Sequence, residues 1–144
     1  MESHVYNPKT VGVFFAEESL RPRRATEGSA GYDFIAPERV VVPAHSTVKF
    51  GSKVHTTIRE GYVLKLYIRS SLGLKHGISL PNSVAVIDSD YRDEIIAALR
   101  NDSDEDFILE KGDRYMQGIF EKYYLVEGDK PKGKRTGGVG STGK

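Results

Sequence analysis

Cysteine and tryptophan are both absent from this chain of 144 residues. Without cysteine there is no disulfide framework, no thiolate zinc site and no cysteine nucleophile, and the composition fits a reducing compartment. No apolar run approaches the roughly 20 residues that span a bilayer. The beginning of the chain also lacks the charged-then-apolar pattern of a signal peptide. We therefore expect an intracellular, soluble protein with no membrane partner.

A strong excess of either charge is also missing. The 21 Lys and Arg residues nearly balance the 20 Asp and Glu residues, which leaves a net charge of +1. Because nucleic-acid-binding domains are usually clearly basic, we expect no nucleic-acid partner. The length suits one domain with a core that needs no disulfide or metal to support it.

Short apolar segments between turn signals predict an all-β protein. The clearest strand covers residues 63–69, where Leu64, Leu66 and Ile68 fall on one face. The apolar spacing of residues 115–125 would also suit a helix, but their aromatic and β-branched content favours a strand. Further strands are predicted at residues 40–42, 47–50, 94–99 and 107–109. Many short strands at this spacing are typical of a barrel or sandwich.

The C-terminal residues differ from the rest of the chain. They are rich in glycine and basic residues and almost free of apolar ones, so they cannot form a core of their own. One interpretation is a disordered terminus. The other is an anion-binding arm, in which glycine backbone N–H groups and the side chains of Arg135, Ser141 and Thr142 approach phosphates. We predict a domain at residues 1–130 and an arm at residues 131–144.

Three short segments contain side chains that could carry chemistry. Asp88 and Asp90 stand two residues apart and could form a carboxylate pair, although a solvated turn is the favoured explanation when they are taken alone. Arg69, Ser70 and Ser71 follow the clearest strand and precede a glycine-containing turn, which suits a phosphate cradle. The interrupted apolar run at residues 85–95 predicts a surface hairpin. Each segment alone is a weak signal.

Five segments, taken in order, resemble the five motifs of the trimeric dUTPase family. They are AGYDF at residues 30–34, RSSLG at 69–73, NSVAVIDSDY at 82–91, GDRYMQ at 112–117 and GGVGSTG at 137–143. The resemblance implies a jelly-roll-like β-barrel subunit in a homotrimer, whose C-terminal arm crosses to a neighbouring subunit. It implies hydrolysis of dUTP to dUMP and diphosphate, with Mg²⁺ on the triphosphate.

The resemblance also implies a role for each matching residue. Asp88 matches the general base that holds the attacking water, and Tyr91 matches the ring that packs under the deoxyribose and excludes a 2′-hydroxyl. Asp33 matches a carboxylate that reaches the metal through water. The positions that match uracil contacts are Asn82, Ala85, Val86 and Val139. The positions that match phosphate contacts are Arg69, Ser70, Ser71, Gln117, Arg135, Ser141 and Thr142.

Several positions depart from the family pattern. Ala85 and Asp93 stand where glycine is common, and Val139 replaces the phenylalanine that usually stacks on uracil. In the arm, Lys134 occupies the aligned place of the usual arginine, and Arg135 lies one residue closer to the glycine pair. Either side chain could reach the γ-phosphate.

Two other functions compete with dUTP hydrolysis. The dCTP deaminases share the fold and a similar Arg-Ser-Ser segment, but the resemblance places their catalytic glutamate at the position of Ala98. The second alternative is a catalytically impaired protein of the same fold that binds the nucleotide without cleaving it.

Overall fold

The computed structural model describes residues 9–135, and within them antiparallel strands dominate. The strands are β1 (Gly12–Phe15), β2 (Tyr32–Ile35), β3 (Val40–Val42), β4 (Ser46–Gly51), β5 (His55–Ile58), β6 (Tyr62–Ile68), β7 (Ile78–Ser79), β8 (Ala85–Ile87), β9 (Ile96–Asn101), β10 (Phe107–Leu109) and β11 (Arg114–Lys122). One short helix, α1 (Ser70–His76), and one 3-10 turn (Glu18–Leu20) interrupt them. The prediction of an all-β, jelly-roll-like fold is confirmed.

The strands form small antiparallel sheets around a single apolar core. The largest sheet has the order β2-β11-β6-β8, and a second has the order β4-β9-β7. Strands β1 and β5 form one further pair, and β3 and β10 form another. Leu64 and Leu66 of β6 lie at the centre of the core with almost no exposed surface, as the alternation of apolar residues predicts.

Most predicted strands are confirmed to within a few residues. Those at 40–42 and 107–109 match β3 and β10, and the strand interpretation of residues 115–125 is confirmed by β11. The predicted strand at 94–99 begins later, at Ile96. The buried Ile95 instead exchanges backbone hydrogen bonds with the loop after β4, where its N–H donates to Val54 and its carbonyl accepts from Ser52.

The glycine-containing turn predicted after Arg69 is wrong, because residues 70–76 form α1. Two serines and a glycine in seven residues are poor helix formers, so the helical pattern is weak. The helix ends at Gly77, which takes the left-handed conformation with a φ of 66°. A glycine directly after Lys75 and His76 is the usual signal for a helix C-terminus, and it was the available clue.

The predicted hairpin at residues 85–95 is also not observed as two strands paired with each other. Strand β8 pairs with β6 across Leu64–Ile87 and Leu66–Ala85, and the chain then turns at Asp88. Strand β7, on the other side of the turn at Asn82, pairs with β9. Residues 85–95 therefore lead from the β2-β11-β6-β8 sheet to the β4-β9-β7 sheet, because β8 pairs with β6 whereas β9 pairs with β4 and β7.

No helix in the described part of the chain is long and apolar enough to cross a membrane.

Candidate active site

Four of the predicted phosphate contacts lie together at one end of the largest sheet, namely Arg69, Ser70, Ser71 and Gln117. Arg69 follows β6, and Ser70 and Ser71 form the first turn of α1, whose N–H groups have no acceptor within the helix. On the neighbouring strands, Gln117 of β11 lies directly opposite Asp33 of β2. Gly31 packs so closely on Gln117 that an added Cβ would lie 2.3 Å from its Oε1 atom. The sheet thus brings together residues from three of the sequence motifs.

Asp33 lies between two arginine side chains in this group. One carboxylate oxygen is 3.7 Å from Nε of Arg69, and the other is 3.5 Å from Nη1 of Arg114. The side chain of Asp33 is only 16% exposed. Burial of a carboxylate is costly unless it is paired, and the two guanidinium groups supply that pairing.

A cleft of about 790 Å³ opens beside these residues. Arg69, Ser71 and Arg114 line it, together with part of α1 and the segments before and after β10. The two arginines and the Ser71 hydroxyl suit an anion such as a phosphate chain, and the lining also includes the acidic residues Glu105, Asp106 and Asp113.

The predicted general base lies in a second group, on the turn after β8. Asp88 accepts the backbone N–H of Tyr91 through its carbonyl, and its carboxylate pairs with Arg135 at 2.5 Å. The same guanidinium pairs with Asp90 at 2.8 Å and stands 5.6 Å from the centre of the Tyr91 ring. These two carboxylates raise the pKa of Arg135 further, Asp90 most strongly. Arg135 thus covers Asp88 of its own chain, and exchange of the arm between subunits stays a prediction.

The turn that carries Asp88 is anchored to the core. Tyr91 is 7% exposed and packs in the core, while its hydroxyl donates to the carbonyl of Glu94 at 2.7 Å. The Glu94 carboxylate in turn accepts the backbone N–H of Lys53 at 2.7 Å. Burial raises the pKa of Tyr91, so its hydroxyl remains a donor at neutral pH. Among residues 9–135, Asp93 is not one of those with positive φ, so this turn does not need the family's glycine.

Among the described residues, only two of the four predicted uracil contacts, Asn82 and Ala85, line a common cleft. This cleft has a volume of about 520 Å³, and its other walls are almost entirely apolar and include Ala98. Val86 faces away from the core and is 58% exposed. Val139, like the predicted phosphate contacts Ser141 and Thr142, lies outside the described residues.

Within one chain, the predicted phosphate contacts around Arg69 and the turn that carries Asp88 are separate. Ile87 pairs with Leu64 near the beginning of β6, so Asp88 lies at the opposite end of that strand from Arg69, which follows its last residue, Ile68. The structure therefore presents two parts of a site that do not meet in the single chain.

A protein-held metal ion does not fit the described residues well. None of the residues from 9 to 135 forms a group of three or more His, Cys, Asp or Glu side chains that could hold one. The two guanidinium groups beside Asp33 would also repel a cation there. The predicted water-mediated contact between Asp33 and Mg²⁺ stays a prediction.

Sequence reasoning missed two residues of these groups. Arg114 lies within the fourth motif, and its signal was its place beside Gln117 in a segment already singled out. Glu94 gave no signal, because its link to Lys53 joins residues far apart in the sequence.

Comparison with known proteins identifies the family of this chain. A family model described as dUTPase matches residues 17–143. The chain is 40% identical over 130 residues to a deoxyuridine 5'-triphosphate nucleotidohydrolase from Lactococcus lactis subsp. lactis (strain IL1403), covering 85% of this chain and 87% of the relative. Its fold matches the crystal structure of a dUTPase from Streptococcus mutans with a TM-score of 0.75 and 35% identity, covering 83% of this chain and all of the other.

A dUTPase of phage phi11 of S. aureus has a similar fold, with a TM-score of 0.73 at 19% identity over 88% of this chain and all of the other, and is described as coordinating a structural Mg(II) ion. The match of the family model to almost the whole chain, together with the relative at 40% identity, is decisive. This chain belongs to the dUTPase family.

Proposed function

We propose that this chain hydrolyses dUTP to dUMP and diphosphate, with Asp88 as the general base. The observation that carries the proposal is the placement of Asp88 beside the buried Tyr91, on a turn fixed to the core, in a member of this family. Such hydrolysis removes dUTP from the pool available for DNA synthesis and supplies dUMP for thymidylate synthesis. The enzyme would act inside the cell, where nucleoside triphosphates are found.

In the proposed reaction the protein supplies position and charge. Asp88 orients a water molecule in line with the α-phosphorus and accepts its proton as the P–O bond forms. The negative charge that moves onto the departing diphosphate is stabilised by Arg69, Gln117 and the N–H groups around Ser70 and Ser71. If Mg²⁺ were bound with the triphosphate, it would neutralise part of the charge that these residues must otherwise stabilise.

Arg135 must release Asp88 for this reaction to proceed. In the single chain its guanidinium pairs with the carboxylate that should hold the water. A triphosphate offers more negative charge than the two aspartates, so we infer that Arg135 turns to the γ-phosphate when dUTP binds. This assigns the phosphate contact to Arg135 rather than to Lys134.

The lining of the cleft around Asn82 and Ala85 favours binding of a nucleotide base and does not suit its deamination. Its one titratable lining side chain among the described residues is Lys49, and the position of the deaminase glutamate holds Ala98. Without a carboxylate there, no group is present to shuttle the proton that deamination requires. The cleft therefore supports binding of uracil and argues against a dCTP deaminase.

We further propose that the active enzyme is a homotrimer. Within one chain, Asp88 is separated from the predicted phosphate contacts around Arg69, and this supports a site that a neighbouring copy completes. Closed cyclic symmetry would complete every site in the same way. Residues 131–144 would then act as an arm that closes the site of a neighbouring subunit, beyond a domain of residues 1–130.

Diphosphate release from dUTP, dTTP, dCTP and UTP tests the function directly. We expect rapid release from dUTP alone, and faster release with Mg²⁺ present. Binding of dUTP without hydrolysis would instead favour the catalytically impaired alternative, and release of ammonia from dCTP would favour the deaminase.

The base is tested by comparing Asp88→Asn with Asp90→Asn. Both carboxylates pair with Arg135, but only Asp88 is proposed to hold the water. We expect Asp88→Asn to keep nucleotide binding and lower kcat by roughly two to four orders of magnitude. Asp90→Asn should lower it far less, and equal losses in the two variants would contradict the assignment.

A further inference from the structure

We propose that Glu94 is a positioning residue, which fixes the turn at residues 88–91 so that Tyr91 can distinguish a deoxyribose from a ribose. The inference rests on the function proposed above and adds to it the residue that keeps the turn in place. Its basis is that Glu94 contacts the Tyr91 hydroxyl through its backbone carbonyl and a distant loop, residues 51–55, through its carboxylate.

The peptide group between Glu94 and Ile95 is held at both ends. Its carbonyl accepts the hydroxyl of Tyr91 at 2.7 Å, and its N–H donates to the carbonyl of Val54 at 2.9 Å. Because a peptide group is planar, a rotation that weakens one of these hydrogen bonds also weakens the other. The direction of the Tyr91 hydroxyl is therefore tied to the position of the 51–55 loop.

The Glu94 carboxylate supports an unfavourable backbone conformation in the 51–55 loop. One carboxylate oxygen accepts the backbone N–H of Lys53 at 2.7 Å, and Lys53 has a φ of 63°. This left-handed conformation is uncommon for a residue with a long side chain. A charged acceptor makes a stronger hydrogen bond than a neutral one, so the carboxylate stabilises the loop in this shape.

Gly51 leaves free the space that this carboxylate occupies. A Cβ atom added at Gly51 would lie 2.6 Å from one carboxylate oxygen of Glu94 and 2.8 Å from the other. Gly51 ends β4 opposite Ile96 and does not have a positive φ, so its backbone conformation does not require glycine. The close approach of Glu94 is the contact that excludes a side chain at this position.

The 51–55 loop contacts the chain after the turn at two places. Besides the contacts of Glu94, Nδ1 of His55 lies 3.1 Å from the carbonyl oxygen of Arg92. Within the turn, the N–H of Tyr91 donates to the carbonyl of Asp88 at 3.1 Å, so the turn moves as one unit. A ring that excludes a hydroxyl group by contact must be held to within on the order of 0.5 Å. A small displacement of the loop should therefore relax the selectivity for the sugar.

Glu94 would act through Tyr91 and would not touch the nucleotide. Lys53 is exposed, so water can replace the carboxylate as acceptor of its N–H when the side chain of Glu94 is removed. The core residues around Tyr91 remain in place in such a variant. We therefore expect the fold to persist while the turn is held less firmly.

Binding of the non-hydrolysable α,β-imido analogues of dUTP and UTP, measured by calorimetry, tests the proposal separately from catalysis. We expect Glu94→Ala to lower the ratio of the two affinities at least about threefold, a part of the value of one hydrogen bond. Glu94→Gln should keep most of the preference for the deoxy analogue, because its amide oxygen can still accept the N–H of Lys53.

Gly51→Ala should reproduce the loss of preference, because the added methyl group displaces the carboxylate of Glu94. In combination with Glu94→Ala it should cause little further loss, since both changes remove the same hydrogen bond. Glu110→Ala is the matched control, because Glu110 also accepts a hydrogen bond from a distant residue, Arg39, but belongs to the segment after β10. It should leave the ratio unchanged.

The ratio is informative even for a partly unfolded variant, because the unfolded fraction affects both analogues equally. An unchanged ratio in Gly51→Ala would overturn the proposal, whether or not Glu94→Ala folds, and so would equal binding of the two analogues by the parent chain. Equal losses in Glu94→Gln and Glu94→Ala would overturn the role of the hydrogen bond to Lys53. If the ratios changed as expected in a chain that failed to hydrolyse dUTP, the proposed function would fail while this inference stood.

Discussion

Gly31 lies against the amide of Gln117, and this contact leaves no room for any side chain. An added methyl group would lie 2.3 Å from Oε1 and 3.1 Å from Cβ of Gln117, so the amide would have to move. We expect Gly31→Ala to raise KM for dUTP by up to about tenfold, the value of one hydrogen bond to a charged group, with the fold intact. Steady-state kinetics with thermal melting would test this. Gly28→Ala, where no atom lies within 4 Å of the added carbon, should behave as the parent chain.

The hydroxyl of Tyr115 is fully buried and has no hydrogen-bond partner among the described residues. A buried polar group without a partner costs roughly 1–3 kcal/mol, and Phe would fill the same space without that cost. We therefore expect Tyr115→Phe to increase the free energy of unfolding by about 1 kcal/mol. Denaturant unfolding measures this directly. A loss of stability would indicate that the hydroxyl is bonded in solution.

The same substitution should change the response of the protein to alkaline pH. Burial, with a smaller effect from the charge of Glu94, raises the pKa of Tyr115 well above its ordinary value of 10.0. The unfolded chain releases this proton near pH 10 while the folded chain retains it, so ionisation favours unfolding above that pH. The stability advantage of Tyr115→Phe should therefore widen above pH 10, and a constant difference between pH 8 and 11 would contradict the cause given.

The segment after β11 exposes several consecutive apolar side chains. Strand β11 ends at Lys122, and the next residues include Tyr124, Leu125 and Val126, which are 83%, 70% and 78% exposed. Consecutive exposed apolar residues of this kind usually mark a surface that a partner covers. This segment would contact a neighbouring copy in the proposed trimer.

We expect the double variant Tyr124→Ser, Leu125→Ser to weaken association of the subunits. Burying one large apolar side chain contributes about 1.5–3 kcal/mol, so the dissociation constant should rise at least about tenfold. Sedimentation at decreasing protein concentration would measure the change. Glu127→Ala, in the same segment but polar, is the control, and equal behaviour of the two variants would exclude a role for the apolar residues.

The elements show what the sequence could and could not predict. Strands with strong alternation or β-branched runs, such as β3 and β6, were predictable because local residue preference and burial agree there. Helix α1 and the pairing of β8 with β6 were not, because α1 consists of weak helix formers and strand pairing depends on distant residues. The motif residues were found through their order along the chain. The ion pairs of Asp33 could not be predicted from the sequence, because they depend on the register between β2 and β11.

For the whole molecule, we expect a homotrimer of about three times 16.0 kDa. A chain that ends at residue 130 should fold and associate normally, because the removed residues are rich in glycine and basic residues and almost free of apolar ones. It should lose most of its dUTP hydrolysis, since Arg135 and the predicted contacts beyond it are removed. Sedimentation and diphosphate release together test this. A fully active monomer would contradict both the assembly and the role of the arm.

The bulge in β11 has a consequence for how the gene can change. The register between β11 and β2 shifts between Arg114 and Met116, so Arg114 and Gln117 share a face of the sheet only because β11 carries one extra residue, Tyr115, between them. Losing a single codon there would straighten the strand and turn Arg114 away, even if every remaining residue kept its identity. In descendants of this chain, the distance between the two residues should therefore be preserved more strictly than the identity of the residue at the bulge. Insertions and deletions should accumulate instead in the turns that lie far from this strand.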